Sequence, residues 1–431
     1  MIDRTKAPEF KAVEEVKLLA PEREILQNGV NLFIFNSGEQ DLVKIEWVFQ
    51  NLSAEGSCLP LLNIALAGMF LEGTKQYTGA EIAEKVDFYG AFLQPEYTFD
   101  YTSLTLYALN KHVAKLLPIV KSVLTESIFP EKELSTYVRN NKQNLSVSLK
   151  KNDFIARRAF NKSIFEGSRY GYAPEVADYD QLNRSDLLGL YERQVNAANC
   201  TLFISGKISE EVLHAIETFF GNQWDARPIV QGQEDISAES TVQGDLVVIE
   251  RAEALQSAIR IGYQTINRKH PDFSSLQLVN TILGGYFGSR LMSNIREDKG
   301  YTYGIGSGIG SLKHGGFFTI ATEVGIGVTE ATLREIEMEI NRLKIEPIAV
   351  EELTLVKNYI TGAFLGSLEN VFSHVDKFKN VYFSGLDLSY YNRHLQIVRD
   401  STAETIMETA NKYFDYDKMT KIVVGKMPPL T

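Results

Sequence analysis

Two side chains in the second half of the sequence are of types that can act together on one point. They are Arg296 and Tyr303, in the stretch Ser293-Asn-Ile-Arg296-Glu-Asp-Lys-Gly300-Tyr-Thr-Tyr303-Gly-Ile-Gly306-Ser-Gly308. A helical run rich in charge is stopped by Gly300, a usual place for a helix to end. An aromatic, β-prone segment follows it. The spacing predicts Arg296 on the helix end and Tyr303 on the strand beyond it. A fixed cation and a phenol that converge across such a stop can hold an oxygen that gains negative charge during a reaction. On spacing alone the same pair also reads as a surface arginine and a half-buried tyrosine.

The other chemistry-bearing residues form no comparable set. The histidines are His112, His214, His270, His314, His374 and His394. Only His214-Ala-Ile-Glu217 begins a metal-binding helix pattern, and Thr218 stands where its second histidine belongs, so His214 reads as a solvated surface residue. Cys58 and Cys200 lie far apart and read as reduced, buried thiols rather than a disulfide. Gly304-Ile-Gly-Ser-Gly308-Ile-Gly310 places glycine at every second position, which suits a strand. A phosphate loop would need a helix directly after it, and the following Leu312-Lys-His-Gly315-Gly316 reads as a hairpin turn.

The elements that must position these residues fill a chain of 431 residues, too long for one ordinary core, so two domains are expected. A hydrophobic content of 44% and a charged content of 23% are ordinary for a soluble globular protein. A net charge of −11 argues against nucleic acid as partner. No run reaches the length of a membrane span. The polar start lacks the apolar stretch of a signal peptide, so a cytoplasmic protein is expected.

The pattern divides into an N-terminal arm (1–27), a first domain (28–222), a linker (223–244) rich in Gln, Glu, Ser and Asp, and a second domain (245–431). In the first domain, strands are expected at Gly29–Phe35 and Val43–Phe49, then a helix apolar nearly all round at Leu59–Leu71. Glu81–Tyr89 reads as a helix ended by Gly90. Phe92–Tyr97 reads as an edge strand, because Pro95 cannot donate to a ladder. A strand at Thr98–Tyr107 and helices at about 112–127 and 131–150 follow. The order then recurs: a strand at Ala258–Tyr263, helices at Phe273–Leu283 and Arg290–Lys299, Gly300 in the place of Gly90, a strand at Gly316–Val324, helices at 329–344 and 351–366, and a closing strand at Lys421–Gly425. Two copies of one α+β unit imply mainly antiparallel sheets with helices on one side.

Leu283-Gly-Gly285-Tyr-Phe-Gly288-Ser-Arg290-Leu, followed by Ile295-Arg-Glu-Asp-Lys-Gly300-Tyr-Thr-Tyr303, resembles the C-terminal signature of the pitrilysin/insulinase family of zinc metallopeptidases. Gly68-Met-Phe-Leu-Glu-Gly73-Thr74 resembles the end of the family's N-terminal motif. The resemblance runs from about residue 28 to 425 and implies a clamshell of two homologous domains around a peptide cavity. In the family, H-x-x-E-H precedes that Gly-Thr. Its two histidines, one helical turn apart, hold zinc, and its glutamate activates a water. Here those places are taken by Ile64, Ala67 and Gly68, and Arg139–Ser148, where the third ligand belongs, contains no glutamate. The resemblance therefore implies a chain without metal of its own. Its zinc-binding partner would be a homologous chain with an intact H-x-x-E-H, its substrate a peptide, and Arg296 and Tyr303 its catalytic contribution. It also implies that the Phe92–Tyr97 strand pairs with extended substrate. That strand carries Gln94-Pro95 where the family has Asn-Ala. Two rivals remain: a purely structural or peptide-binding homologue, such as the core subunits of the respiratory bc1 complex, and an enzyme acting alone through some other site, for which the sequence offers no candidate.

Overall fold

The computed structural model describes residues 15–52, 60–228 and 244–427. Cys58, Leu59, the first part of the arm and most of the linker lie outside these residues.

One sheet is built from β1 (Glu22–Ile25), β2 (Asn31–Asn36), β3 (Leu42–Gln50), β4 (Phe92–Tyr97), β5 (Tyr101–Leu109) and β6 (Cys200–Gly206), in the order β1-β2-β6-β3-β5-β4. The other contains β7 (Leu246–Glu250), β8 (Gln256–Thr265), β9 (Ile305–Ser311), β10 (Gly316–Gly325) and β11 (Thr420–Gly425), in the order β7-β11-β8-β10-β9. The β2–β6 and β7–β11 contacts are parallel, and the contacts that follow them in each order are antiparallel. β1, in a stretch read as arm, adds an antiparallel strand outside β2.

The alternation in β3 shows why the sheet forms. Val43, Ile45, Trp47 and Phe49 point to one core, together with Leu104 and Leu106 of β5, and all are fully buried. Helices Pro60–Met69, Gly79–Phe88 and Asn110–Glu126 cover that face. The second half repeats the arrangement, with Ile259, Ile261, Phe318 and Ile320 under helices Phe273–Asn280 and Thr329–Ile345.

The sequence reading put helices on one side of each sheet. The structure covers the other side too, with a helix from the opposite half. Helix Asn152–Ile164 lays Ala156, Phe160 and Ile164 on Ala258, Ile422 and Val424 of the second sheet. Helix Val371–Tyr382 lays Val375, Phe378 and Tyr382 on Phe33, Phe35, Val48 and Phe203 of the first. The Phe33 ring lies 4.9 Å from Phe378 and 4.8 Å from Tyr382. Burial of each such aromatic contributes about 1.5–3 kcal/mol. Charges support the contact. Glu46 meets Lys379 at 2.6 Å and Lys44 at 3.2 Å, and Asp376 meets Lys379 at 3.0 Å and Lys44 at 3.4 Å. This reciprocal exchange clasps the halves together. No helix among the described residues is long and apolar enough to cross a membrane.

Candidate functional site

Arg296 sits on a short, wide-turn helix, Met292–Asp298, in which the Lys299 amide donates to the Asn294 carbonyl, five residues back, at 3.0 Å. Such wide turns recur where a helix must re-aim its side chains. Gly300 closes it at φ +66°, a left-handed conformation that suits glycine. Asn294 anchors the helix from within, donating to Glu339 at 2.8 Å and Glu335 at 3.0 Å. Arg296 points the other way. Its guanidinium lies 4.6 Å from the centre of the Phe287 ring and 3.7 Å from Glu297. Phe287 belongs to a glycine-bearing loop pinned to helix Val350–Gly366. Arg290 donates twice to Glu352, each time at 2.9 Å, and the Tyr286 ring lies 4.9 Å from Tyr359.

Tyr303 is not on the strand, as the spacing predicted, but in the turn just before β9. The hydrogen bonds of Thr302 explain the difference. The Thr302 hydroxyl donates to the Glu323 carbonyl at 2.7 Å and accepts from the Gly304 amide at 3.1 Å, and these contacts draw the chain out of the ladder. The turn is thereby locked, while the Tyr303 side chain is 95% exposed. It borders an open cleft of about 320 Å3 whose wall includes Asp153 and Gln256. Arg296 does not line that cleft. The two residues thus flank one glycine turn but engage different neighbours within this chain.

In the first half, Ile64, Ala67 and Gly68 lie on helix Pro60–Met69. Ala67 is buried, and Gly68 is held against Tyr137 of helix Glu131–Ser148: a Cβ on Gly68 would stand 2.5 Å from Tyr137 Cε2. Burial pushes the Tyr137 phenol far above its ordinary range, so it stays neutral. Beyond the helix end, Glu72 is pushed up by burial and then by the charge of Glu133. Among the described residues no group of three or more His, Cys, Asp or Glu side chains could hold a metal ion. This donor set does not fit zinc.

β4 pairs only with β5 and forms an edge of its sheet. Gln94 and Phe92 are exposed along it, and Pro95 sits opposite Leu104 without an amide to offer. Phe88, at the end of the preceding helix, is exposed as well.

Two family models match the chain in succession. Residues 65–182 match "Insulinase (Peptidase family M16)", and residues 181–360 match "Peptidase M16 inactive domain". The chain belongs to the insulinase family of peptidases. It is 25% identical over 361 residues to "Uncharacterized zinc protease YmxG" of Bacillus subtilis, covering 81% of this chain and 85% of that protein. It is 23% identical over 200 residues to "Probable inactive metalloprotease YmfF" of the same organism, covering 46% of each. A crystal structure of a "peptidase M16 inactive domain" from Pseudomonas fluorescens superimposes with a TM-score of 0.82 at 20% identity, over 95% of this chain and 99% of that one. Ile64, Ala67 and Gly68, where the sequence reading expects the H-x-x-E-H pattern, carry no metal-ligating side chain. The sequence reading found what is missing there, but not what fills the space. The signal was Gly68 itself, since a glycine facing another helix implies a bulky group opposite, and Tyr137 is that group. Phe287 was missed because its contact with Arg296 depends on how the intervening loop folds back.

Proposed function

We propose that this chain is the metal-free subunit of a two-chain insulinase-type peptidase. The partner, a homologue with an intact H-x-x-E-H, supplies zinc and the base. This chain supplies Arg296 and Tyr303 to bind substrate and hold the scissile carbonyl oxygen as charge develops on it. In this reading the units 28–222 and 245–431 form the two walls of the peptide cavity, and the β4 edge around Gln94 takes extended substrate. The observation that carries the reading is Tyr303, a phenol 95% exposed on a turn fixed by hydrogen bonds. A large ring exposed on a fixed turn stabilises little within its own chain, but its hydroxyl is open to donate to a group brought from outside. Tyr137 against Gly68 supports the other half of the reading, because the place of the second metal ligand is already taken.

A second reading, a catalytically inactive peptide-binding scaffold, draws support from Arg296, which already has partners in Phe287 and Glu297. The two readings separate in one experiment. The purified chain is assayed for peptide cleavage alone and after mixing with a homologue that carries the intact motif. Cleavage by the mixture and by neither chain alone, abolished by a chelator, supports the two-chain peptidase. A homologue whose turnover ignores this chain supports the scaffold.

A further inference from the structure

At the seam of the two halves, two cations that make no ion pair among the described residues face one cavity. The cavity holds about 500 Å3, a usual size for a small-ligand site, and its wall includes Glu46, Asp100 and Asp376 as well as Arg268, Lys313 and Lys379. The acids in that wall are already engaged. Glu46 and Asp376 share Lys44 and Lys379. Asp100 accepts from the Tyr170 hydroxyl at 2.7 Å and from the Lys313 amide at 3.1 Å. Glu96, exposed at the mouth, is the acid left over.

Arg268 and Lys313 are not matched in this way. One nitrogen of Arg268 donates to the Asn380 carbonyl at 2.8 Å, and its guanidinium lies 5.8 Å from the Tyr390 ring centre. The Lys313 ammonium lies 6.0 Å from the Tyr101 ring centre. Neither side chain makes an ion pair among the described residues. Burial holds the Lys313 ammonium below the ordinary lysine range; Asp100 opposes this, and Arg169 and Lys269 add to it. An anion in the cavity would relieve both the desolvation and the repulsion.

We propose that this cavity binds a carboxylate, and that Arg268 and Lys313 hold it. The planar guanidinium matches the two carboxylate oxygens, and the lysine adds a point charge. The position indicates the source. Glu96, at the end of the β4 edge, and Thr98, just beyond it, both border the cavity. A peptide laid along β4 would run its end into the cavity, where the unmatched cations select a free C-terminus. The assignment rests on the peptide-binding reading of β4 but not on Arg296 or Tyr303.

The test is calorimetry on the full chain at low ionic strength, with three probes: an acetylated alanine tetrapeptide with a free C-terminus, its C-terminal amide, and inorganic phosphate. The acid binds at least tenfold more tightly than the amide, and added salt weakens it. Lys313→Met lowers its affinity at least tenfold, while Lys313→Arg retains most of it. Lys313 makes no side-chain hydrogen bond among the described residues, so these variants leave the fold intact, as circular dichroism checks. Lys418→Met, at an exposed lysine outside the cavity, binds like the unaltered chain, and because the measurement needs no partner chain its outcome is separate from the catalytic reading. Equal binding of acid and amide, an unaffected Lys313→Met, or no binding of the acid at millimolar concentration overturns the proposal. Binding of phosphate alone overturns the peptide assignment as well.

Discussion

Gly68→Ala probes the packing of helix Pro60–Met69 against Tyr137. The added methyl would lie 2.5 Å from Tyr137 Cε2 and 3.2 Å from its Cζ and hydroxyl oxygen. Unstrained carbon pairs sit at about 3.5–4.0 Å. Replacing glycine inside a helix gains at most about 1 kcal/mol, and less here, because Gly68 is the last residue but one of its helix. Forcing a methyl into an occupied core space costs about 1–3 kcal/mol, and the low end applies here, because Gly68 is exposed and only the outer edge of the Tyr137 ring must shift. The clash therefore wins narrowly, and Gly68→Ala destabilises the first half by up to about 1 kcal/mol. With Tyr137→Ala in place, only the helix term remains, so the same substitution becomes neutral or mildly stabilising. The coupling between the two positions is about 1 kcal/mol. Urea unfolding of the four chains, followed by tryptophan fluorescence, measures it. The protein has two tryptophans, Trp47 and Trp224, and both are buried in the first core, so the signal reports that half. If Gly68→Ala has the same effect with and without the Tyr137 ring, the packing account is wrong.

In the mixed peptidase, Tyr303→Phe lowers kcat by about 10²–10³ with a smaller change in KM, as for loss of one oxyanion donor. Steady-state kinetics beside an unfolding control checks this, and near-normal turnover moves the reading to the scaffold. Glu46→Ala leaves Lys44 and Lys379 short of a carboxylate at the clasp and costs about 3–5 kcal/mol, the usual range for breaking a buried pair; thermal unfolding reads this out, and a loss below 1 kcal/mol would show that Asp376 alone suffices. His394 is pushed down to about 4, first by burial and then by Arg268, with its ring stacked on Tyr390. Below its unfolded value of about 6.5 the unfolded chain binds a proton that the native chain refuses. Stability from this residue is therefore full above pH 6.5 and falls by up to about 3 kcal/mol as the pH drops towards 4. His394→Gln flattens that slope in urea titrations, and an unchanged slope assigns the acid sensitivity to other groups.

Much of the fold was legible because its signals are local. The alternation from Val43 to Phe49 marks a central strand, and Pro95 marks an edge, since a residue without an amide cannot sit between two strands. The repeat was visible because each copy orders its elements alike, and the two sheets share their strand order from β2 and β7 onward. Ile64, Ala67 and Gly68 excluded a metal half-site by residue type alone.

What the sequence could not supply depends on partners far away along the chain. Lys44 and Glu46 stand at positions that alternation assigns to the face away from the core, yet they are buried, because helix Val371–Tyr382 crosses from the other half to cover them. No periodicity in β3 records a helix more than 300 residues later. Tyr303 left the strand because Thr302 found the Glu323 carbonyl, a bond made only once β10 is in place. Tyr137 fills the space beside Gly68, and Phe287 stacks on Arg296, for the same reason. Residue types and spacing determined which metal-ligating side chains this chain lacks and which chemistry-bearing side chains it carries. Tertiary packing decided where those side chains point, because direction is set by contacts between elements and not by the order of residues within one.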